Sequence, residues 1–389
     1  MNKKIKIISV VGARPNFIKV APFIKAIKLH NQSASNKIDH LLVHTGQHYD
    51  ARMSETFFKE LDIPMPDINL EIGSGSHAEQ VGHTMIAFEK IVKKEQPDWV
   101  VVLGDVNATI ACSITAKKEK IKCCHIEAGL RSYDIEMPEE INRLVTDKLA
   151  DLLLTPDRIS SENLFKEGVS KDKVVFVGNI MIDTLNSNLE KASSLKFNDI
   201  ISENCIVENR AKIELFSNIQ KYGLITMHRP SNVDDKIIIT EIIDWFVSVA
   251  SKKVPFIWPV HPRTLNKLKE YKLLDKLVNC ENILLLHPLG YHEMLKLNSN
   301  SSIMLTDSGG LQEECTVLGV PFLTLRWNTE RPITLKENEG SGYLVGNNIE
   351  KIQEKFDLCF SESSTETIPE LWDGNTANRC LQAIINYKD

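Results

Sequence analysis

The sequence predicts an α/β protein of two Rossmann-like halves that face a central cleft. Three observations predict it. Short apolar runs alternate with helical segments through the first half, as buried parallel strands and their crossovers do. The alternation stops in a polar, helix-prone stretch, residues 186–221, that holds no convincing strand. It resumes at residue 223 with the same architecture. A chain of 389 residues also exceeds what one core usually holds. We place the first domain at residues 1–185 and the second at 186–375.

Composition narrows the class. The chain is 42% hydrophobic and 25% charged, ordinary for a soluble globular protein. A net charge of −6 argues against nucleic acid as a partner. None of the eight cysteines forms a CxxC pair with metal-site spacing. They read as reduced core thiols of a cytoplasmic protein. The start, MNKKIKIISVVGARP, is basic and then apolar, but the run is short and leads into a strand-turn-helix pattern. It reads as a first strand and not as a signal peptide. No apolar stretch is long enough to span a bilayer, so no membrane partner is expected. There is no repeat or low-complexity tract.

In the first half, strand 5–11 ends in Gly12-Ala13-Arg14-Pro15, and Pro15 suits the first helical position. A strand-glycine-helix opening forms an anion site, for which Arg14 and Lys19 are the candidate cations. The GxGxxG pattern is absent, so no nicotinamide cofactor is inferred. Strand 38–44 ends in a polar loop, TGQHYD. Helix 53–61, strand 68–72 and helix 77–94 follow. Next comes the stretch that organises the chain, residues 101–147. One apolar run, 100–103, ends in Gly104-Asp105; another, 123–126, ends in Glu127-Ala128-Gly129. Glu139-Glu140 then opens a helix after Pro138. Open α/β sheets bind ligands at strand ends. Asp105 and Glu127 should therefore project into one crevice, with Glu139 facing them. Singly, Asp105 and Glu139 read equally well as helix-terminal acids. Three carboxylates at three successive element ends favour a site. Strands 152–155 and 174–177 complete the half.

In the second half, strand 223–227 ends in His228-Arg229-Pro230, and helix 237–250 follows. Strand 256–260 ends in His261, and strand 283–286 in His287. Strand 303–305 leads to Asp307-Ser308-Gly309-Gly310, which opens helix 311–318; strand 322–325 ends at Arg326. Ser308-Gly309-Gly310 lets backbone N–H groups approach a phosphate closely. Glu314 lies one turn on, placed to accept hydrogen bonds from ribose hydroxyls. His228 and Arg229 would face a diphosphate from the other side. No His/Asp/Glu spacing makes a metal site.

These residues carry a resemblance. The segments VVGARPNFIK, HTGQHYD, GDVNAT, HIEAGLRS, MPEEINR, VGNIMID, MHRPSN, PVHPRT, LTDSGGLQEE and LRWNTERP occur in the order of the non-hydrolysing UDP-N-acetylglucosamine 2-epimerases. Singly, GD or SGG is weak; together they cover nearly the whole chain. The resemblance implies a fold of the B-type glycosyltransferase class (GT-B), a homodimer, and a C-terminal helix, about residues 376–387, that returns to the first domain. It implies catalytic positions at Asp105, Glu127, Glu139 and His228. It implies nucleotide-sugar positions at Arg14, Lys19, Ser308, Gly309, Gly310, Glu314 and Arg331, with Leu289 and Met294 around the base. Gln47 and His261 match an activator site of some bacterial members; Asp50 does not. Ala13 and Asn16 replace the usual Thr and Glu, Pro230 stands where many members have a second arginine, and Ser341-Gly342-Tyr343 replaces a different turn.

The implied activity interconverts UDP-GlcNAc and UDP-ManNAc for bacterial or archaeal surface polysaccharides, with no cofactor or metal. The rivals are a 2-epimerase of a related sugar such as UDP-2,3-diacetamido-2,3-dideoxyglucuronate, a hydrolysing epimerase, a glycosyltransferase, and a catalytically silent UDP-sugar-binding regulator.

Overall fold

The computed structural model describes residues 4–46, 61–338, 340–361 and 368–388, apart from the side chains of Arg14 and Pro15. The chain divides into two compact units, residues 1–187 with 370–389, and residues 188–369. The fold is α/β of the GT-B type. Each unit is a doubly wound parallel sheet.

Among the described residues, the first unit has a seven-stranded sheet. Its strands are β1 (Ile5–Val11), β2 (Ile38–His44), β3 (Ile68–Asn69), β4 (Trp99–Leu103), β5 (Lys122–Ile126), β6 (Leu152–Thr155) and β7 (Val174–Phe176). The order is β3-β2-β1-β4-β5-β6-β7. Every residue of β4, WVVVL, is buried, as a strand covered on both faces requires. The order reverses direction between β1 and β4, and such switch points open the ligand crevice of doubly wound sheets. The turn after β1 carries Arg14, and the turn after β4 carries Asp105. Leu103 pairs with Ile126, which sets Gly104 and Glu127 level at two neighbouring strand ends.

The second unit repeats the scheme with β8 (Gly223–Thr226), β9 (Phe256–Pro259), β10 (Ile283–Leu286), β11 (Ile303–Thr306), β12 (Phe322–Thr324) and β13 (Gly342–Leu344). Their order is β10-β9-β8-β11-β12-β13. The switch point lies between β8, which leads to His228, and β11, which leads to Ser308. Thr226 pairs with Thr306, so those two turns also start level. Apolar layers cover both faces, one around Trp258 and Phe356, the other around Phe322 and Leu286.

Several expectations change. The segment at Ser341-Gly342-Tyr343 is not a turn: Gly342–Leu344 is the edge strand β13. Gly342 is required there because a Cβ would lie 2.1 Å from the Phe322 ring. Strand 68–72 shortens to Ile68–Asn69, since Glu71 has a left-handed backbone, φ 53°. Helix 237–250 is an α-helix only over Lys236–Trp245 and then passes through a π turn, Phe246–Ala250. Helix 311–318 begins earlier, at Gly309, so both glycines lie in its first turn. The helix expected at 53–61 falls, but for Leu61, outside the described residues.

The C-terminal segment belongs to the first unit. Asp183 accepts from the Thr376 and Ala377 N–H groups at 3.0 and 2.7 Å, placing a carboxylate at the N-terminus of helix Thr376–Ile385. Tyr387 meets Trp99 edge-on, with centroids 4.9 Å apart. Trp372 is buried and donates to the Pro156 carbonyl at 3.0 Å. Trp372→Ala should therefore destabilise the protein by about 3–5 kcal/mol in urea unfolding. Trp372→Phe, which keeps the packing and loses the hydrogen bond, should lose about 1 kcal/mol. Equal, small losses in both would contradict this anchoring.

Candidate active site

The first unit's site is built on buried ion pairs. Asn16, in the first turn of helix Arg14–Ser33, accepts from Gly12 N and Ala13 N at 3.1 and 3.2 Å and donates to Leu103 O at 2.9 Å. It thereby clamps the β1 turn to the end of β4. In the sequence, Asn16 stood out only as a departure from the family pattern. One turn on, the buried Lys19 ammonium contacts the Glu127 carboxylate. Gly104, at φ +64°, is what admits that pair: a Cβ there would stand 3.0 Å from Lys19 Nζ and 3.2 Å from Glu127 Oε2. Glu127 itself has φ +74°. That region is uncommon for non-glycine residues, and such strained positions cluster at functional sites. The Glu127 and Ala128 N–H groups both donate to Leu154 O at 3.0 Å, which holds the conformation.

Asp105 pairs with Arg143 of helix Pro138–Leu149. Arg143 also meets Glu140, with Nη2 2.7 Å from Oε2. Glu140 is buried and accepts from Ser132 N at 3.0 Å, Ser132 Oγ at 3.1 Å and Tyr133 N at 3.0 Å. Of the two acids that open this helix, Glu140 is thus the structural one, and Glu139 is half-buried. Glu139 lies four residues before Arg143, on the same helix face. Arg143 thereby joins Asp105 to the Glu139 turn. Sequence reasoning missed Arg143 and Glu140; the spacing within EEINR was the available signal. The two strand-end carboxylates differ in exposure: the Asp105 side chain is 25% exposed and the Glu127 side chain 3%.

The second unit is organised by Asp307, which sequence reasoning also left unassigned. Its carboxylate is fully buried at the end of β11. Oδ2 accepts from His228 N at 2.9 Å, Arg229 N at 2.8 Å and Asn232 Nδ2 at 3.2 Å. Oδ1 lies 2.8 Å from His228 Nδ1. Burial alone would raise this carboxyl, but His228 and the two backbone N–H groups outweigh it and hold it below its usual value. With Nδ1 turned toward Asp307, the ring presents Nε2 outward. The His228 side chain is 38% exposed. The His261 ring lies 5.5 Å from that of His228, and its Nδ1 accepts from Arg263 N at 3.2 Å. The two histidines given separate roles by resemblance are neighbours.

Ser308 precedes helix Gly309–Leu318, and its N–H donates to Thr306 Oγ1 at 3.0 Å. The first-turn N–H groups of a helix have no intrahelical acceptor and favour an anion. A Cβ at Gly309 would stand 2.8 Å from Glu330 Oε1 and 3.0 Å from Arg331 Nη1, so a side chain there would displace those charged groups. Arg331, expected to hold the nucleotide sugar, sits in a buried charge network. Its Nε lies 2.7 Å from Glu313 Oε1 and its Nη1 2.5 Å from Glu330 Oε1. Arg326 meets the other Glu330 oxygen at 2.8 Å. Glu314, on the next turn of that helix, is buried. Burial pushes its carboxyl up to about 7; hydrogen bonds from Tyr291 and Asn298 oppose the shift and Glu313 adds to it. Leu289 and Met294 are half-buried and pack on the same apolar layer as Leu311. Gln47 and the Arg14 side chain lie outside the described residues. Among the described residues, no cluster of three or more His, Cys, Asp or Glu side chains could hold a metal ion. Among the same residues, no helix is long and apolar enough to cross a membrane.

The sequence profile of UDP-N-acetylglucosamine 2-epimerases matches residues 30–385. The chain belongs to the UDP-N-acetylglucosamine 2-epimerase family. A UDP-N-acetylglucosamine 2-epimerase of Methanocaldococcus jannaschii is 40% identical, over 98% of this chain and 99% of that one. The crystal structure of the Methanocaldococcus jannaschii epimerase in complex with UDP-GlcNAc and UDP superposes with a TM-score of 0.84 at 39% identity, over 99% of this chain and all of that one. A UDP-2,3-diacetamido-2,3-dideoxy-D-glucuronate 2-epimerase of Pseudomonas aeruginosa is 38% identical over 84% of each chain. Like these epimerases, the chain is an isomerase.

The buried Glu314 makes a stability prediction for this family member. Its folded value, about 7, lies above the unfolded value of 4.5, so between those two pH values the folded state binds more protons. The Glu314 contribution is fully present below about pH 4.5 and is lost as pH rises through about 7. Glu314→Gln cannot ionise. Urea unfolding should show wild type losing stability relative to Glu314→Gln across that window. Parallel curves would contradict the assignment.

Proposed function

We propose that this chain interconverts UDP-N-acetylglucosamine and UDP-N-acetylmannosamine without net hydrolysis. The observation that carries this reading is the pair of carboxylates at adjacent strand ends, Asp105 and Glu127, each set against its own cation. The C2 hydrogen of the sugar has no adjacent carbonyl, so simple deprotonation and reprotonation is chemically unfavourable. Elimination of UDP across C1–C2 gives 2-acetamidoglucal instead. UDP then adds back while a proton reaches C2 from the opposite face. Carboxylates near C1 and C2 stabilise an oxocarbenium-like centre, as paired acids do in glycosidases. Asp105, Glu127 and Glu139 divide the base, acid and electrostatic roles.

Departing UDP needs a cationic, N–H-rich cradle. We assign it to Arg14, Lys19, His228, Ser308, Gly309 and Gly310. Glu314 takes the ribose hydroxyls, and Leu289 and Met294 flank the base. Arg331 acts by fixing Glu330 beside Gly309. Gln47 and His261 are the candidates for an activator site. His261 lies beside His228. We place the enzyme in the cytoplasm, where the eight free thiols remain reduced, as a homodimer that supplies surface polysaccharide synthesis.

The Pseudomonas aeruginosa relative supports a second reading, the same reaction on a diacetamido-glucuronate. A carboxylated sugar would require an added cation near C6.

The test is chromatography of the products formed by the purified protein from each UDP-sugar. The expected result is UDP-GlcNAc converted to a mixture with UDP-ManNAc, without accumulation of free UDP. N-acetylmannosamine with stoichiometric UDP would overturn the non-hydrolysing reading. Turnover confined to the glucuronate sugar would favour the second. Asp105→Asn and Glu127→Gln should each lower kcat roughly a hundredfold or more, the usual contribution of a positioned acid or base. Turnover within a few-fold of wild type in both would remove the carboxylate assignment.

A further inference from the structure

His125, the fourth residue of β5, is fully buried. Its Nδ1 lies 2.6 Å from Asp147 Oδ1 and its Nε2 2.8 Å from the Gly104 carbonyl oxygen. The other Asp147 oxygen accepts from Gly129 N at 3.0 Å and Arg131 Nη1 at 2.7 Å. Arg131 continues to Glu167 through two N–H bonds of 2.7 and 2.8 Å. Burial would raise the Asp147 carboxyl, but His125 and Arg131 outweigh it and keep it low. A carbonyl oxygen only accepts hydrogen bonds, so Nε2 donates to Gly104, and one proton lies between Nδ1 and Asp147. The row His125, Asp147, Arg131, Glu167 is continuous.

The row has a place in the site. Gly104 is the residue before Asp105, and the Lys19–Glu127 pair occupies the space its side chain would take. Gly129 closes the loop that begins with Glu127. His125 bonds the first turn directly and the second through Asp147. Neither contact involves Asp105 or Glu127 themselves.

We propose that His125 is a positioning residue of the epimerase reaction: by bridging the Gly104 carbonyl and Asp147, it holds the turns that present Asp105 and Glu127 at one fixed separation. This inference rests on the function proposed above.

Two measurements test it. The first is nitrogen NMR of wild-type protein labelled at histidine, at pH 7, with the His125 signals assigned by their loss in His125→Gln. Nε2 should be protonated with a slowly exchanging proton, and Nδ1 should show a second slowly exchanging proton held in the contact with Asp147. An Nε2 without a proton, or fast exchange at both nitrogens, would overturn the bridge, and this readout needs no active variant. The second uses two partial replacements. His125→Gln keeps an amide donor near the Nε2 position, facing Gly104. His125→Asn keeps one near Nδ1, facing Asp147. Each should lower kcat by about ten- to a hundredfold, as small misplacements of catalytic groups do. The dissociation constant of UDP, measured by calorimetry, should stay close to that of wild type, which loss of folding would not allow. Folded variants that both keep wild-type kcat would overturn the positioning role. A wild-type chain inactive on every UDP-sugar would instead overturn the proposed function.

Discussion

A carboxylate taken out of water must meet a cation or several N–H donors, or it will not remain ionised. That constraint shapes both units. Glu127 is buried against Lys19, Asp105 and Glu140 share Arg143, and Asp147 lies between His125 and Arg131. Asp307 collects two backbone N–H groups, Asn232 and His228. Removing one member of a buried pair typically costs about 3–5 kcal/mol, because the other charge is left uncompensated. The network therefore holds its carboxylates in place before any ligand arrives. An enzyme that must generate and then recapture a glycal benefits from groups that do not rearrange during turnover.

The same fold element yields two different sites. In the first unit, the switch point lies between β1 and β4, and the turns after β4 and β5 end in acids. In the second, it lies between β8 and β11, and the turns end in His228 and a glycine-opened helix. Glycine serves each site by close approach. Gly104 leaves room for the Lys19–Glu127 pair, and Gly309 for Glu330 and Arg331. In both places the absent side chain is replaced by a charge.

The strands were legible because buried parallel strands are short unbroken apolar runs, and VVVL, CCHI and ILLL have no other simple reading. The strand β13 was not, since GYL is three residues long and its glycine answers to Phe322, twenty positions earlier. Candidate acids at strand ends could be read one at a time; their partners could not. Lys19 and Glu127 are separated by 108 positions, and His228 and Asp307 by 79. Asp307 was overlooked because the glycines that follow it give the stronger local signal. Glu139 and Glu140 are adjacent in sequence, and only the folded chain shows that Glu140 turns toward the Ser132 and Tyr133 N–H groups. His125 opens the segment HIEAGLRS, but nothing local in that segment shows that its ring reaches Gly104 and Asp147.

In the proposed reaction the sugar–phosphate bond breaks and re-forms while the C2 proton is exchanged. Proton NMR of UDP-GlcNAc incubated with the protein in D2O tests it most directly. UDP-ManNAc should bear deuterium at C2, and deuterium should also return to the UDP-GlcNAc pool. UDP-ManNAc that retains its original C2 hydrogen would contradict it.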